Sequence, residues 1–226
     1  MMLWILLLGV PFLLGLLAQA RVKSAFSRWT NVRATSGVTG AQAAREILRA
    51  ANINDVEVIE INGMLGDHYD PTKKVLCLSS DVYSTPSVAA LGIAAHEVGH
   101  AIQHAKAYAP LEWRMAVVPM TMFVSPILNY ILLAGIFIPF IWIKLLPVVA
   151  VCYVILALFQ LITLPVEFDA SRRAKVILGQ MGLIQQGEET AGVNNVLNAA
   201  ALTYVAAFVA VLGQLLYVLM LMNNRR

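Results

Sequence analysis

Long uncharged hydrophobic runs occur four times along the chain and predict four membrane-spanning helices. The runs cover Leu3–Ala20, Met115–Ile143, Leu145–Val166 and, within the uncharged stretch Thr190–Asn224, Ala199–Met222. A helix needs about 20 apolar residues to cross about 30 Å of hydrocarbon, and each run comes near or above that length. The mean hydropathy of +0.73 agrees with this pattern. We therefore predict a mainly α-helical membrane protein with about four transmembrane helices.

Residues 35–114 are the one long stretch with the polar and apolar pattern of a water-exposed domain. Thr39 fits a helix N-cap, and the apolar spacing after it predicts a short amphipathic helix. Asp55–Ile61 and Val75–Leu78 are rich in β-branched and apolar residues and predict two strands. The link between them, Asn62–Pro71, is rich in Gly, Asp and Pro and is predicted to be a loop. These elements predict a small α+β domain.

A long helix is predicted after the second strand. Ser84 or Thr85 can cap it, Pro86 suits its first position, and about 20 good helix formers follow. Gly99 lies inside this helix, where glycine costs about 1 kcal/mol relative to alanine. We therefore expect another element to approach the helix closely at Gly99.

Basic residues follow the first hydrophobic run but do not precede it. They are Arg21, Lys23, Arg28 and Arg33. By the positive-inside rule, this asymmetry predicts an uncleaved anchor whose C-terminal flank is cytoplasmic. The pattern Ala18-x-Ala20 resembles a signal-peptidase site, but a signal peptide carries its basic residues before the apolar run. The predicted organisation is an anchor at 1–20, a cytoplasmic α+β region at 21–114, a two-span hairpin at 115–166, a cytoplasmic segment at 167–195 and a C-terminal transmembrane helix at 196–226.

The charge pattern indicates the lipid bilayer as a partner and no nucleic acid. The net charge is +3, but the basic residues cluster at the flanks of the apolar runs, where they set topology. The two cysteines, Cys77 and Cys152, fit no metal or redox spacing, and Cys152 lies inside an apolar run.

Three ionisable residues in the long predicted helix point to metal chemistry. His96 and His100 are four residues apart, so they lie one turn above each other on one helix face. Two imidazoles at this separation can bind one zinc ion. Glu97, beside the first histidine, is then placed to polarise a metal-bound water, the H-E-x-x-H arrangement of zinc peptidases.

A catalytic zinc site needs three protein ligands and one open position, and three side chains compete for the third place. His104 continues the four-residue spacing but lies about 6 Å of rise beyond His100, where three turns do not converge on one ion. The spacing of His68, in its loop, selects no role. Glu167 follows the third apolar run, and two spans return the chain to the side that holds the histidines. We predict zinc ligation by His96, His100 and Glu167.

Three segments resemble a known family. GIAAHEVGHAIQH, LPVEFDASRRAK and the upstream GMLGDHYDPTKKVLCLS are similar to the bacterial membrane-embedded neutral zinc metallopeptidases of the YugP-like type. The match to the HtpX-like membrane peptidases is more distant. Their third ligand is the glutamate of E-F-x-A-D-x-x-A, whereas Ser171 stands here in place of the aspartate, and Asp169 lies two residues after Glu167. The resemblance implies a peptidase fold with a small sheet, an active-site helix and a location in a bacterial membrane.

The predicted function is that of a membrane-embedded zinc-dependent endopeptidase with a zincin-like domain. We expect about one zinc per chain and a metal-activated water with Glu97 as general base. The expected partners are a peptide or membrane-protein substrate and the bilayer, and the active site of this multi-pass cell-membrane protein is expected to face the cytoplasm.

Several residues are candidates for supporting roles. His68, Arg172 and Arg173 are candidate donors to the transition-state oxyanion. Asp169 is a candidate acceptor that orients a histidine ring. A substrate peptide is expected to lie extended along Lys74–Ser79 and to pair through its backbone.

Two other functions remain open at this point. The first is an intramembrane site-2-type protease, because the sequence around the motif is apolar. The second is a membrane scaffold with a structural metal or none. The presence of Glu97 disfavours the scaffold, because a structural zinc site prefers a closed ligand set and needs no base beside it.

Overall fold

The computed structural model describes residues 5–63 and 66–223, and the protein is mainly helical. A π-helical segment, Ile5–Gly9, leads into the first α-helix. The helices are α1 (Val10–Thr30), α2 (Gly40–Ala50), α3 (Ser80–Tyr83), α4 (Val88–Ala105), α5 (Ala109–Phe137), α6 (Pro139–Gln180) and α7 (Glu188–Asn223), and the strands are β1 (Glu57–Ile61), β2 (His68–Asp70) and β3 (Val75–Ser79).

Four helical segments are long and apolar enough to cross a membrane. They are Ile5–Thr30, Ala109–Gly135, Lys144–Gln180 and Glu188–Asn223. Each corresponds to one predicted run, so the predicted number of membrane-length helices is confirmed within the described part of the chain. The start of the first run, at Leu3 and Trp4, lies outside the described residues.

The chain divides into two compact units, each with a hydrophobic core of its own. The first comprises the described residues up to Ala18, Glu112–Leu164 and those from Thr203 onwards. Its core is built from apolar side chains of α5, α6 and α7: Leu128, Leu146, Val149, Tyr153 and Val218. The second unit comprises Gln19–Leu111 and Pro165–Leu202 and contains the sheet. The division by membrane topology that the sequence predicts stays a prediction.

A three-stranded mixed sheet lies in the second unit. Its order is β1-β3-β2, with β1 parallel and β2 antiparallel to the central β3. Leu76 and Leu78 of β3 point into the core and are fully buried, together with Ile47 of α2 and Leu91 of α4. Helix α2 begins as predicted, because Thr39 caps it and forms a capping box with Gln42.

The predicted loop between the strands is partly wrong, because His68–Asp70 forms β2. The Asp70 carboxylate accepts hydrogen bonds from the backbone of Thr72 and Lys73, which closes a tight turn into β3. This turn brings His68–Asp70 against the free edge of β3, and backbone pairing then satisfies its polar groups. The loop residues Met64 and Leu65 lie outside the described part of the chain.

The predicted start of the long helix is also wrong by a few residues. The N-cap is Ser87, whose hydroxyl accepts a hydrogen bond from the backbone N–H of Ala90 at 3.2 Å. The cause is a tertiary pairing: the carbonyl of Pro86 accepts from the N–H of Ala34, and Arg33 bridges to Ser87. Ser87 is therefore extended, and α4 begins only at Val88.

Candidate metal centre

Helix α4 presents His96 and His100 on one face within the second unit. Most of its residues are buried, so packing rather than exposure to lipid accounts for its apolar composition. The two imidazole rings are one turn apart, with centroids separated by 4.8 Å and planes at 84°. This edge-to-face arrangement places both rings beside the same space.

The carboxylate of Glu167, on α6, lies close to both histidine rings. Its Oε2 lies 3.3 Å from Nε2 of His96 and 3.6 Å from Nε2 of His100. Two ligands of a tetrahedral zinc, each about 2.0–2.1 Å from the ion, are about 3.3–3.4 Å apart. The His96–Glu167 separation matches this value, and the His100–Glu167 separation exceeds it by about 0.2 Å. The Glu167 side chain is almost fully buried.

These three side chains form a cluster that could hold a metal ion, with all ligand atoms within 4.8 Å of one another. In residues 5–63 and 66–223, no other group of three or more His, Cys, Asp or Glu residues has such a geometry. Two imidazoles and one carboxylate are the donor set of several catalytic zinc sites, in which water or substrate takes the fourth position. The residues present therefore fit a zinc ion.

The second nitrogen of each histidine has a hydrogen-bond partner. Nδ1 of His96 lies 3.1 Å from the hydroxyl oxygen of Ser171. Nδ1 of His100 lies 3.0 Å from Oε1 of Gln103. Such partners fix the ring orientation of a metal-binding histidine and leave Nε2 for the metal.

Asp169 does not pair with a histidine ring; its partners are Gln103 and two arginines. Its carboxylate accepts from the side-chain amide of Gln103 at 3.0 Å and from the guanidinium groups of Arg172 and Arg173. The guanidinium of Arg173 also lies over the ring of Tyr108. The two arginines, which are predicted from the sequence as candidate oxyanion donors, therefore pair with Asp169.

His104 and His68 lie outside the metal-ligand cluster. Nδ1 of His104 is hydrogen-bonded to the phenol of Tyr69 at 2.9 Å. Burial, and then the charges of Asp55 and Asp70, raises the pKa of Tyr69 to about 12, so this phenol is neutral at physiological pH. His68 is exposed at the start of β2, and its Nδ1 donates to the carbonyl of Gly66 at 2.8 Å.

Glu97 lies on α4 directly after His96 and is buried. Burial raises its pKa, although the neighbouring His96 and His100 lower it and the charge of Glu167 raises it further. No hydrogen bond to the Glu97 carboxylate is formed by any described residue, so its oxygens are not committed to a protein donor. Burial lowers the pKa of His100, but the Glu167 and Glu97 carboxylates outweigh this and raise it above its ordinary value.

Neither Gln103 nor Ser171 is predicted as a site residue from the sequence; Ser171 enters there only as a departure from a family pattern. A helical spacing could have found both. Gln103 lies three residues after His100 and Ser171 four residues after Glu167, so each shares a helix face with a predicted ligand. Polar residues at such positions are candidates for supporting a metal ligand.

The fold and the cluster define a membrane protein with a His-His-Glu site of the kind that binds zinc. Comparison with known proteins agrees: the chain belongs to the family described as "Putative neutral zinc metallopeptidase", whose model matches residues 4–223. It is 44% identical over 225 residues to the "Putative membrane protease YugP" of Bacillus subtilis (strain 168), a match that covers 100% of this chain and 99% of the relative. No solved structure matches the chain.

Proposed function

We propose that this protein is a membrane-embedded zinc-dependent endopeptidase with about one zinc per chain. His96, His100 and Glu167 hold the metal, and Glu97 is the general base. The observation that carries the proposal is the convergence of both Nε2 atoms on Oε2 of Glu167, at 3.3 and 3.6 Å. The name of the family supports zinc as the metal.

The chemistry follows from the positions of these residues. A bound zinc would supply a Lewis acid that polarises the scissile carbonyl and lowers the pKa of water. Glu97 takes the proton of the attacking water and returns it to the leaving amine. Its freedom from protein hydrogen-bond donors among the described residues supports this role, because a carboxylate held by a donor is a weaker base.

The site is proposed to belong to a water-accessible domain rather than to a membrane span. Helix α4 is not one of the four helices with the length and apolarity of a span. Its apolar side chains pack in the core of the second unit, against α2 and the sheet. This packing favours an ordinary metallopeptidase site over a site-2-type intramembrane one.

The substrate is proposed to be a peptide or a membrane protein whose chain adds to the edge of β2. The expectation that it lies along Lys74–Ser79 is wrong, because β3 is the central strand and both of its edges are occupied. Strand β2 packs against α4, and its outer edge has no strand partner among the described residues. Backbone pairing with an open edge is a common mode of peptide binding.

The proposed location is a bacterial cell membrane, crossed by the four long helices, with the site facing the cytoplasm. The basic residues after the first apolar run support this orientation. Because Glu167 and the two histidines contribute to one cluster, residues 21–114 and the segment after the third run are assigned to the same side.

The experiment that tests the function is peptide cleavage by the detergent-purified full-length protein. A fluorogenic peptide library should be hydrolysed, a chelator should abolish hydrolysis, and added zinc should restore it. Zinc binding without hydrolysis of any library member would leave a metal-binding membrane protein and would contradict the peptidase.

A further inference from the structure

We propose that Gln103 is a positioning residue that connects Asp169 to the metal ligand His100. It fixes the ring orientation and the tautomer in which His100 offers Nε2 to the metal. This inference rests on the proposed zinc site and adds a residue to it that neither the family description nor the motif assigns.

The hydrogen bonds of Gln103 determine which way its amide points. The side chain is fully buried, and Nε2 donates to the carbonyl of Val166 at 2.8 Å and to Oδ2 of Asp169 at 3.0 Å. Both of these partners can only accept, so the nitrogen must face them and both of its N–H groups are used. Oε1 therefore faces His100.

The orientation of Gln103 in turn determines the state of His100. Nδ1 of His100 lies 3.0 Å from Oε1, an oxygen that can only accept. Nδ1 must then carry a hydrogen, so Nε2, which lies 3.6 Å from Oε2 of Glu167, is the nitrogen left to bind a metal. Removal of Gln103 would leave the ring free to rotate or to change tautomer.

The hydrogen bonds of Gln103 also reach residues on both sides of the proposed third ligand, Glu167. Val166 precedes Glu167 and Asp169 follows it by two residues, so the amide of Gln103 holds α6 on both sides of the ligand. Arg172 and Arg173 neutralise Asp169 and hold its carboxylate. Donors and acceptors linked in this way in a buried site strengthen one another.

The first measurement is zinc affinity, by competition with a chromophoric chelator on the full-length protein in detergent. Gln103→Leu should bind zinc about 10–100-fold more weakly than the unmodified chain, the usual effect of losing such a partner. Ile102→Ala is the matched control, because Ile102 is a buried neighbour on α4 outside the hydrogen-bond chain. It should lower the unfolding temperature with zinc affinity unchanged.

A double substitution that exchanges the amide of Gln103 and the carboxylate of Asp169 distinguishes the proposed positioning role from a packing role. Gln103→Glu alone places two carboxylates against each other and should weaken zinc binding. Combined with Asp169→Asn, the new carboxylate can accept from both His100 and the new amide. The double variant should therefore bind zinc at least about 10-fold more tightly than Gln103→Glu alone, as expected for a restored partner. The absorption bands of bound cobalt should shift from those of Gln103→Glu towards those of the unmodified protein, and the Val166 carbonyl, which stays without its donor, accounts for the remaining difference.

The inference is overturned if Gln103→Leu binds zinc as tightly as the unmodified chain, or if the double variant binds no better than Gln103→Glu. These results concern metal affinity and are separate from hydrolysis. An unmodified chain that binds zinc but cleaves no peptide would contradict the proposed peptidase and leave the role of Gln103 standing. An unmodified chain without zinc affinity would contradict both.

Discussion

Gly99 of α4 lies directly against Ala170 of α6. A methyl group built on Gly99 would stand 2.8 Å from the carbonyl oxygen of Ala170 and 3.1 Å from its Cα. Gly99 is the residue before His100, and Ala170 lies three residues after Glu167. The expectation of a close approach at Gly99 is confirmed, and the missing side chain sets the distance between the helices that carry the proposed ligands.

Gly99→Ala should therefore destabilise the protein and weaken zinc binding. Overpacking of this kind costs about 1–3 kcal/mol, partly offset by the about 1 kcal/mol that alanine gains over glycine in a helix. Thermal unfolding and zinc affinity of the purified variant measure the two effects.

Gly179→Ala is the matched control, because Gly179 is a helical glycine of α6 with open space around its Cβ position. It should be neutral or stabilise the protein by up to about 1 kcal/mol. Equal stability and equal zinc affinity of the Gly99 and Gly179 variants would refute the close contact at the site.

The third ligand is tested by comparing Glu167→Ala with His104→Ala. Loss of Glu167 removes one of three ligands, so zinc affinity and hydrolysis should fall together. Loss of His104 removes the hydrogen bond and the ring contact with Tyr69 but none of the proposed ligands, so metal content should be nearly unchanged. The measurement is zinc per chain by elemental analysis, with His96→Ala and His100→Ala as metal-free references. A His104 variant without zinc beside a Glu167 variant with zinc would reverse the assignment.

The proposed topology predicts one common side for two regions far apart in the sequence. Reporter fusions at Lys73, in the turn before β3, and at Lys175, near the end of α6, should both give a cytoplasmic signal. Both residues lie in the second compact unit. Opposite signals from the two fusions would be incompatible with a cytoplasmic site that includes Glu167.

The sequence predicts those parts of the structure that depend on local pattern. The four long apolar helices, the cap at Thr39 and the strands β1 and β3 follow from periodicity and capping chemistry, which act over a few residues. The spacing of His96 and His100 places them on one face for the same reason. Glu167 lies beside them in the structure; that all three face the same side of a membrane, as counting the spans predicts, stays a prediction.

Features that depend on tertiary pairing could not be predicted in this way. Strand β2 exists because β3 offers it an edge, and α4 starts late because Pro86 and Ser87 pair with residues near Arg33. Asp169 could be assigned to a histidine from its position, but only the packing of α4 on α6 places Gln103 between them. The spacing of Gln103 from His100 marks it as a candidate partner of that ring, but the pattern of neither helix shows that it also reaches Asp169.

The central claim, a zinc peptidase with Glu97 as its base, is tested most directly by Glu97→Gln. The substitution keeps the shape of the side chain and removes its ability to accept a proton. Zinc content and cleavage of a fluorogenic peptide are measured on the same purified sample, with unfolding temperature as the check on folding. Zinc should remain at the level of the unmodified protein while hydrolysis falls by about 10²–10⁴-fold. Full hydrolysis by a zinc-loaded, folded Glu97→Gln protein would contradict the account.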